Sequence, residues 1–508
     1  TNTEDFCTNR NRHLQACLQG CPLLFVQNHS SSCGFKRNTV PFERKLRSQG
    51  NNKHKHSEMK CEARNRAEHK SSKKLKAHPM KCEARNRAEH RTSKKLNERN
   101  LTMKKIKGGV TAPKGFAAMG LKAGIKKDKK DMAMIYSSTP CVAAGTFTTN
   151  QVKAAPVIWD RDTIYTSDYV HAVVCNSGVA NACTGKIGMD YCEQMAEATA
   201  KALDIEKRQV LVASTGVIGA QLPMDKITKG IQLLAPTLDE SLDGGHLAAE
   251  AIMTTDTIPK EIAFEFEIGG KTCTIGGMCK GSGMIHPNMC TMLGFIMTDV
   301  KISKSMLYEA LSGDIKDTFN MISVDGDTST NDTVLLLANG LADNPEITEK
   351  NEDYYKFVEA LHAVNEFLAK KIAGDGEGAT ALFEVKIVNA ESKEQAVTLA
   401  KSIVTSSLTK AAIYGHDANW GRILCAMGYS TAKFDPEKVD IYFESKAGKL
   451  KIVENGMATD YSEAKATKIL SENEVTAIAD VKMGDCTATA WGCDLTHEYV
   501  SINADYRS

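Results

Sequence analysis

From residue 103 onward the chain switches between two hydrophobic rhythms. Ile262, Phe264, Phe266 and Ile268 alternate with Ala263, Glu265 and Glu267, the period of two that predicts a half-buried strand. Phe383, Val385 and Ile387 alternate in the same way against Glu384 and Lys386. Cys192, Met195, Ala196, Thr199, Ala202 and Leu203 instead fall at helical spacing, with Thr199 the one polar member of that face. Phe357, Leu361, Val364 and Leu368 predict a second helix, which Gly374 is placed to stop. Strands and helices interleave throughout, so the fold class expected for 103–508 is α/β.

Residues 1–102 break this rhythm. Met59 to His69 recurs identically as Met80 to His90, and Ser72-Lys73-Lys74-Leu75 recurs as Ser93-Lys94-Lys95-Leu96. Two copies are too few to stack into a solenoid core. The segment is rich in Lys, Arg, Asn, Ser and His and poor in aromatic and branched residues, so a disordered extension is the expectation. Its charge sharpens the contrast: residues 1–100 hold 23 Lys and Arg against 9 Asp and Glu, and the rest of the chain 41 against 53. A basic arm could neutralise phosphates, but no aromatic platform or reading motif accompanies it, so nucleic acid is not the expected partner. Nine acids also oppose an organellar transit peptide, and Cys61 with His69 and Cys82 with His90 match no zinc spacing.

The remaining composition narrows the class. No run of 18 apolar residues appears, so no membrane-spanning segment is expected. Ten of the sixteen cysteines follow residue 100, without a CxxC pair and in contexts such as Val174-Cys175 and Leu424-Cys425. Buried free thiols in a reducing cytoplasm are the expectation, rather than a structural zinc site.

The segment Lys280-Gly281-Ser282-Gly283-Met284-Ile285-His286-Pro287-Asn288-Met289-Cys290-Thr291-Met292-Leu293 carries the most chemical information. Two glycines and a proline within eight residues bar a regular element from its first half. The stretch from Thr291 to Phe295 is apolar and strand-like. A hydroxyl therefore sits where a flexible loop enters a strand, which alone is usually a turn or a cap. Val212-Ala213-Ser214-Thr215-Gly216-Val217-Ile218-Gly219 is a glycine-flanked turn that can offer a hydroxyl and an amide N–H to a developing negative charge. In Asp325-Gly326-Asp327-Thr328-Ser329-Thr330-Asn331-Asp332 the acids are read as loop hydrogen-bonders, since the run lacks the glycine and terminal glutamate of a calcium loop. Gly374-Asp375-Gly376-Glu377-Gly378 has acids among its glycines and no Lys-Ser or Lys-Thr after them, which opposes a phosphate loop.

Taken together these segments resemble the ornithine acetyltransferase (glutamate N-acetyltransferase) family of arginine biosynthesis. Its members split themselves before a Thr in a KGSGMIxPNMxTML context. Gly108 to Phe116 resembles the family's opening, with Met103 near its usual start. Asn176-Ser177-Gly178, Asn181 to Gly185 and the Asp417 to Arg422 turn match further signatures, and the terminal Ile502-Asn503-Ala504-Asp505-Tyr506-Arg507-Ser508 matches its end. The resemblance implies a layered α/β sandwich with a smaller C-terminal α/β lobe. It divides the catalytic unit into an α fragment, 103–290, and a β fragment, 291–508, cut between Cys290 and Thr291. It further implies Thr291 as nucleophile, Thr215 and Gly216 as oxyanion hole, and Thr254, Lys280, Thr291, Glu377, Asn503 and Ser508 as substrate contacts, with Thr255 the neighbour most easily confused with Thr254. No cofactor or metal is implied, and acetyl-CoA is left open as a second acetyl donor. Assembly as two α and two β fragments, in the cytoplasm, also follows from the family.

This sequence departs from the pattern in places. His286 stands where a small residue is common, and Cys290 replaces the usual Ala. An N-terminal Thr carries its own base in its α-amine, so no role for His286 is required. A related self-processing aminopeptidase would share the architecture but use Ser as nucleophile.

Overall fold

The computed structural model describes residues 103–286 and 292–505. The basic extension, Cys290, Thr291 and Ser508 lie outside the described residues.

Among these residues the strands form two sheets. The first has nine: β1 (Lys104–Ile106), β2 (Phe116–Leu121), β3 (Met132–Phe147), β4 (Val170–Val179), β5 (Val210–Val217), β6 (Lys260–Ile268), β7 (Lys271–Lys280) and β8 (Leu293–Thr298), with one more described below. The second has seven: β9 (Ile322–Ser323), β11 (Leu382–Ala390), β12 (Asp440–Ser445), β13 (Gly448–Glu454), β14 (Met457–Ala458), β15 (Glu474–Asp480) and β16 (Cys486–Cys493). The ninth strand of the first sheet is β10 (Thr333–Ala338), which completes the order β1-β6-β7-β8-β10-β3-β4-β5, with β2 on β3.

The long strand β3 turns the first sheet into two layers. Met132 to Tyr136 pair with β4, Val142 to Phe147 pair with β10, and the register shifts between Tyr136 and Cys141. The halves close on one apolar core in which Val173, Leu211 and Ala213 meet Met278, Phe295, Leu335 and Leu337. Helices α1 (Ala155–Thr166), α2 (Ile187–Leu203) and α3 (Met224–Leu234) cover the β3–β5 half, and α4 (Leu242–Ile252) packs along β2. Helix α5 (Lys304–Asp314) packs on β3. Helix α6 (Glu352–Gly374) lies on β6 and β7 and on its other side meets β16 and β11. It thereby joins the sandwich to the second sheet, on which α7 (Lys393–Val404) also packs. Helices α8 (Ser407–Tyr414), α9 (Trp420–Gly428), α10 (Glu463–Leu470) and α11 (His497–Asp505) complete the C-terminal lobe. The layered α/β sandwich with a smaller lobe is thus the observed architecture.

The periodic segments land close to expectation. Helix α6 buries Phe357, Leu361, Val364 and Leu368 and ends at Gly374. Phe383, Val385 and Ile387 are fully buried on β11. Two details differ. On α2 the buried face runs through Cys192, Met195, Ala196, Thr199 and Ala200, leaving Ala202 exposed, because position 202 lies off the stripe that repeats every 3.6 residues. Phe264 on β6 is only half-buried while Ala263 is buried, so the alternation breaks at the centre of that strand. Among the described cysteines Cys175 is buried, but Cys425 is exposed, against the expectation from Leu424-Cys425. Helix α9 turns its core face through Ile423, Ala426 and Met427.

The boundary at 290/291 is not a boundary between folding layers. β8 and β10, which follow it, lie between β7 and β3, which precede it.

Candidate active site

Three strand ends converge on one small cavity lined by Thr215, Lys280, Gly283, Met284, Ile285, Met292, Leu293, Ser329, Asn331 and Asp332. Lys280 is the last residue of β7 and pairs in register with Leu293, the first of β8. Thr333, the first residue of β10, pairs with Leu293 from the other side. The two residues that follow Thr291 in sequence therefore share a cavity with Thr215 and Lys280.

Thr215 and Gly216 lie within β5, which runs on to Val217, and Ser177 and Gly178 of β4 run parallel to them, so the turn expected from the sequence is strand at these two residues because they pair with β4. Gly216 has φ +128, and a Cβ there would stand 2.3 Å from the Gly178 carbonyl carbon. No other residue fits this strand position without moving β4. The strand end is fixed by side chains reaching in from elsewhere. Asn176 Oδ1 accepts the Ser214 hydroxyl at 2.7 Å, and Asn331 Nδ2 donates to the Ser214 carbonyl at 2.8 Å and to the Ala180 carbonyl at 2.5 Å. Thr215 is 8% exposed and lines the cavity.

The loop after Lys280 is held on both sides. The Asp325 carboxylate accepts N–H bonds from Met284 at 2.6 Å and from Ile285 at 2.8 Å, and Met284 takes φ +55, a strained value for a side-chain-bearing residue. This is the loop hydrogen-bonding expected of Asp325. Among the described residues no group of three His, Cys, Asp or Glu is placed to hold a metal ion. His286 is half-buried, with Nδ1 3.1 Å from the Ser323 hydroxyl. Burial, with the Lys401 charge adding, pushes its imidazole down to about 4.

Glu377 follows α6 and packs its carboxylate against the bare Cα of Gly283, where an added Cβ would lie 2.3 Å from the carboxyl carbon. Asn503 on α11 donates to Glu377 Oε2 at 2.8 Å. The docked tail expected from the sequence is present as far as Asn503: Thr496 donates its hydroxyl to the Gly378 carbonyl at 2.7 Å, and the Tyr499 hydroxyl lies 3.4 Å from Asp325 Oδ2. Thr254 sits after α4, with its N–H on Asp256 Oδ2 at 3.0 Å. It does not line the cavity, and neither does Thr255.

Sequence reasoning read Asp332, together with Asp325, only as a loop hydrogen-bonder. It is 1% exposed, and its Oδ2 has no hydrogen-bond partner among the described residues. Burial raises its carboxyl well above the usual carboxylate range, against the opposing charge of Lys280. The DGDTSTND run was the available signal, but it did not separate the loop-holding Asp325 from the cavity-lining Asp332.

Comparison with known proteins gives this geometry a context. The model of the ArgJ family matches residues 117–508. The arginine biosynthesis bifunctional protein ArgJ of Thermotoga neapolitana is 52% identical over 397 residues, covering 78% of this chain and 99% of that protein. The ArgJ protein of Symbiobacterium thermophilum is 53% identical over 409 residues, covering 80% of this chain and 100% of its own length. Among solved structures, an ornithine acetyltransferase from Mycobacterium tuberculosis complexed with ornithine is 43% identical, covers 37% of this chain and 99% of that chain, and has a TM-score of 0.35.

Proposed function

The chain belongs to the ArgJ family, and on that premise we propose that it moves an acetyl group from N2-acetyl-L-ornithine to L-glutamate through an acetyl ester on Thr291. L-Ornithine and N-acetyl-L-glutamate are the products. The curated relatives are named bifunctional, which supports acetyl-CoA as a second acetyl donor to glutamate. The observation that carries the reading is the shared cavity: Met292 and Leu293, directly after the expected cut, line it together with Thr215 and Lys280.

In this reading the Thr291 hydroxyl first attacks the Cys290 carbonyl, and water opens the resulting ester to leave Thr291 with a free α-amine. An α-amine titrates at about 7.7–8.0 in reference compounds, so near neutrality part of it is unprotonated and can take the proton of its own hydroxyl. That hydroxyl attacks the acetyl carbonyl of acetylornithine, while the Thr215 hydroxyl and Gly216 N–H steady the tetrahedral oxyanion. The tetrahedral adduct collapses, the ornithine amine leaves with a proton, and the glutamate amine then attacks the acetyl ester to regenerate Thr291. Glu377, Asn503, Lys280, Thr254 and Ser508 hold the amino-acid portions, a carboxylate such as Glu377 suiting an ammonium group. The cycle requires no cofactor or metal.

Cutting the chain does not free the pieces in this fold. β8 and β10 of the β fragment are flanked by β7 and β3 of the α fragment, so separation would tear four strands from two ladders. Two such cleaved units associating, as α2β2 in the cytoplasm, completes the proposal. None of the described helices is long and apolar enough to cross a membrane.

Denaturing gel electrophoresis of the purified protein and its Thr291→Ala variant tests the reading. Two fragments meeting at 290/291 are expected of the parent and a single chain of the variant; a variant that still splits there would remove Thr291 as the internal nucleophile.

A further inference from the structure

Lys260 opens β6 and is 1% exposed, yet its ammonium reaches two carboxylates, Asp256 Oδ1 at 2.7 Å and Asp375 Oδ2 at 2.5 Å. Neither acid serves the lysine alone. Asp256 accepts the Gly281 N–H at 2.6 Å on the oxygen that meets Lys260, and the Thr254 N–H at 3.0 Å on the other. Asp375 accepts the N–H and the hydroxyl of Thr257. The Asp375 carbonyl accepts the Ser282 hydroxyl at 2.7 Å, and the Ser282 carbonyl accepts the Glu377 N–H at 3.0 Å.

One buried ammonium thus gathers the segments that carry Thr254, Lys280 and Glu377. Stability alone is a weak reason for such an arrangement, because the desolvation of three charges offsets much of their attraction and an apolar cluster of equal volume serves as well. What an apolar cluster cannot do is fix backbone N–H and C=O groups at set distances. Asp256 and Lys260 precede the expected cut and Asp375 follows it, so the same contact spans the two fragments.

We propose that Lys260 is a positioning residue that, through Asp256 and Asp375, sets the separation of Glu377 from Lys280 and Thr254 and thereby the grip on the amino-acid substrate. It touches no substrate itself. The inference rests on the reading of those three residues as substrate contacts.

The test is steady-state kinetics of the self-cleaved enzyme with acetylornithine and glutamate for Lys260→Met, Asp375→Asn, their double variant and Glu377→Gln. A loosened grip is uniform binding lost, so KM for acetylornithine should rise about tenfold in each single variant of the triad while kcat changes by less than about threefold. Because the two residues act as one unit, the double variant should be no worse than Lys260→Met alone. KM within about twofold of the parent in both single variants would overturn the proposal, as would effects that multiply fully in the double. Should Lys260→Met not fold, Asp375→Asn, which keeps the side-chain volume and one accepting oxygen, decides alone. Glu377→Gln separates the premises: raised KM there with unchanged KM in the triad variants removes only the role of Lys260, whereas unchanged KM in Glu377→Gln removes the site reading itself.

Discussion

Asn503 Nδ2 donates to Glu377 Oε2 at 2.8 Å, joining the C-terminal helix to the turn that follows the longest helix of the described fold, across 126 residues of sequence. The bond engages one Glu377 oxygen, and the carboxylate packs over Gly283, whose lack of a side chain makes the room; in the proposed reading the other oxygen meets the substrate. Asn503→Ala removes one hydrogen bond to a charged acceptor at a partly exposed site, and KM for acetylornithine should rise about tenfold with fragments still formed. Gly283→Ala should act in the same direction by pushing the carboxylate aside. Kinetic constants unchanged in both variants would take Glu377 out of the substrate site.

Gly216 carries the strictest steric demand in the proposed oxyanion segment, since its φ of +128 and its contact with Gly178 both exclude a Cβ. Gly216→Ala should lower kcat by about 10²-fold, the typical cost of misplacing an oxyanion donor, with a smaller change in KM. Circular dichroism of the variant checks that the fold persists, and kcat within about threefold of the parent would argue against this segment as the oxyanion hole.

His286 invites a role as general base by its position five residues before Thr291. Burial and the Lys401 charge push it down to about 4, so above pH 5 it is already neutral and gains no further basicity as pH rises. The kcat/KM profile of His286→Asn should therefore overlay that of the parent between pH 5 and 9, with the limb near the α-amine range of about 7.7–8.0 retained in both. An acidic limb present in the parent and missing in the variant would assign the base to His286 instead.

Much of this site was legible in the sequence because its parts are local. The glycines of the Lys280 to Met292 loop, the strand-like run after it and the Gly374 stop each follow from neighbouring residues. The resemblance to a family supplied the roles, which spacing alone could not. What stayed hidden was long-range: Asn331 reaches Ser214 over 117 residues and Lys260 reaches Asp375 over 115, and no periodicity records such a pairing. Lys260 was also masked by its setting, since a lysine at the head of an alternating strand reads as a solvated end. Cys425 misled for the opposite reason, its apolar neighbour Leu424 lying beside the helix stripe that is actually buried.

In the proposed cycle Thr291, freed by cleavage, carries the acetyl group between substrates. Intact-mass spectrometry of the separated fragments, before and after brief exposure to N2-acetyl-L-ornithine and again after adding L-glutamate, tests it directly. The expected result is a β fragment beginning at Thr291 that becomes one acetyl group heavier with acetylornithine and returns to its original mass with glutamate. An uncut chain, or turnover with no acetyl group ever found on the fragment that begins at Thr291, would contradict it.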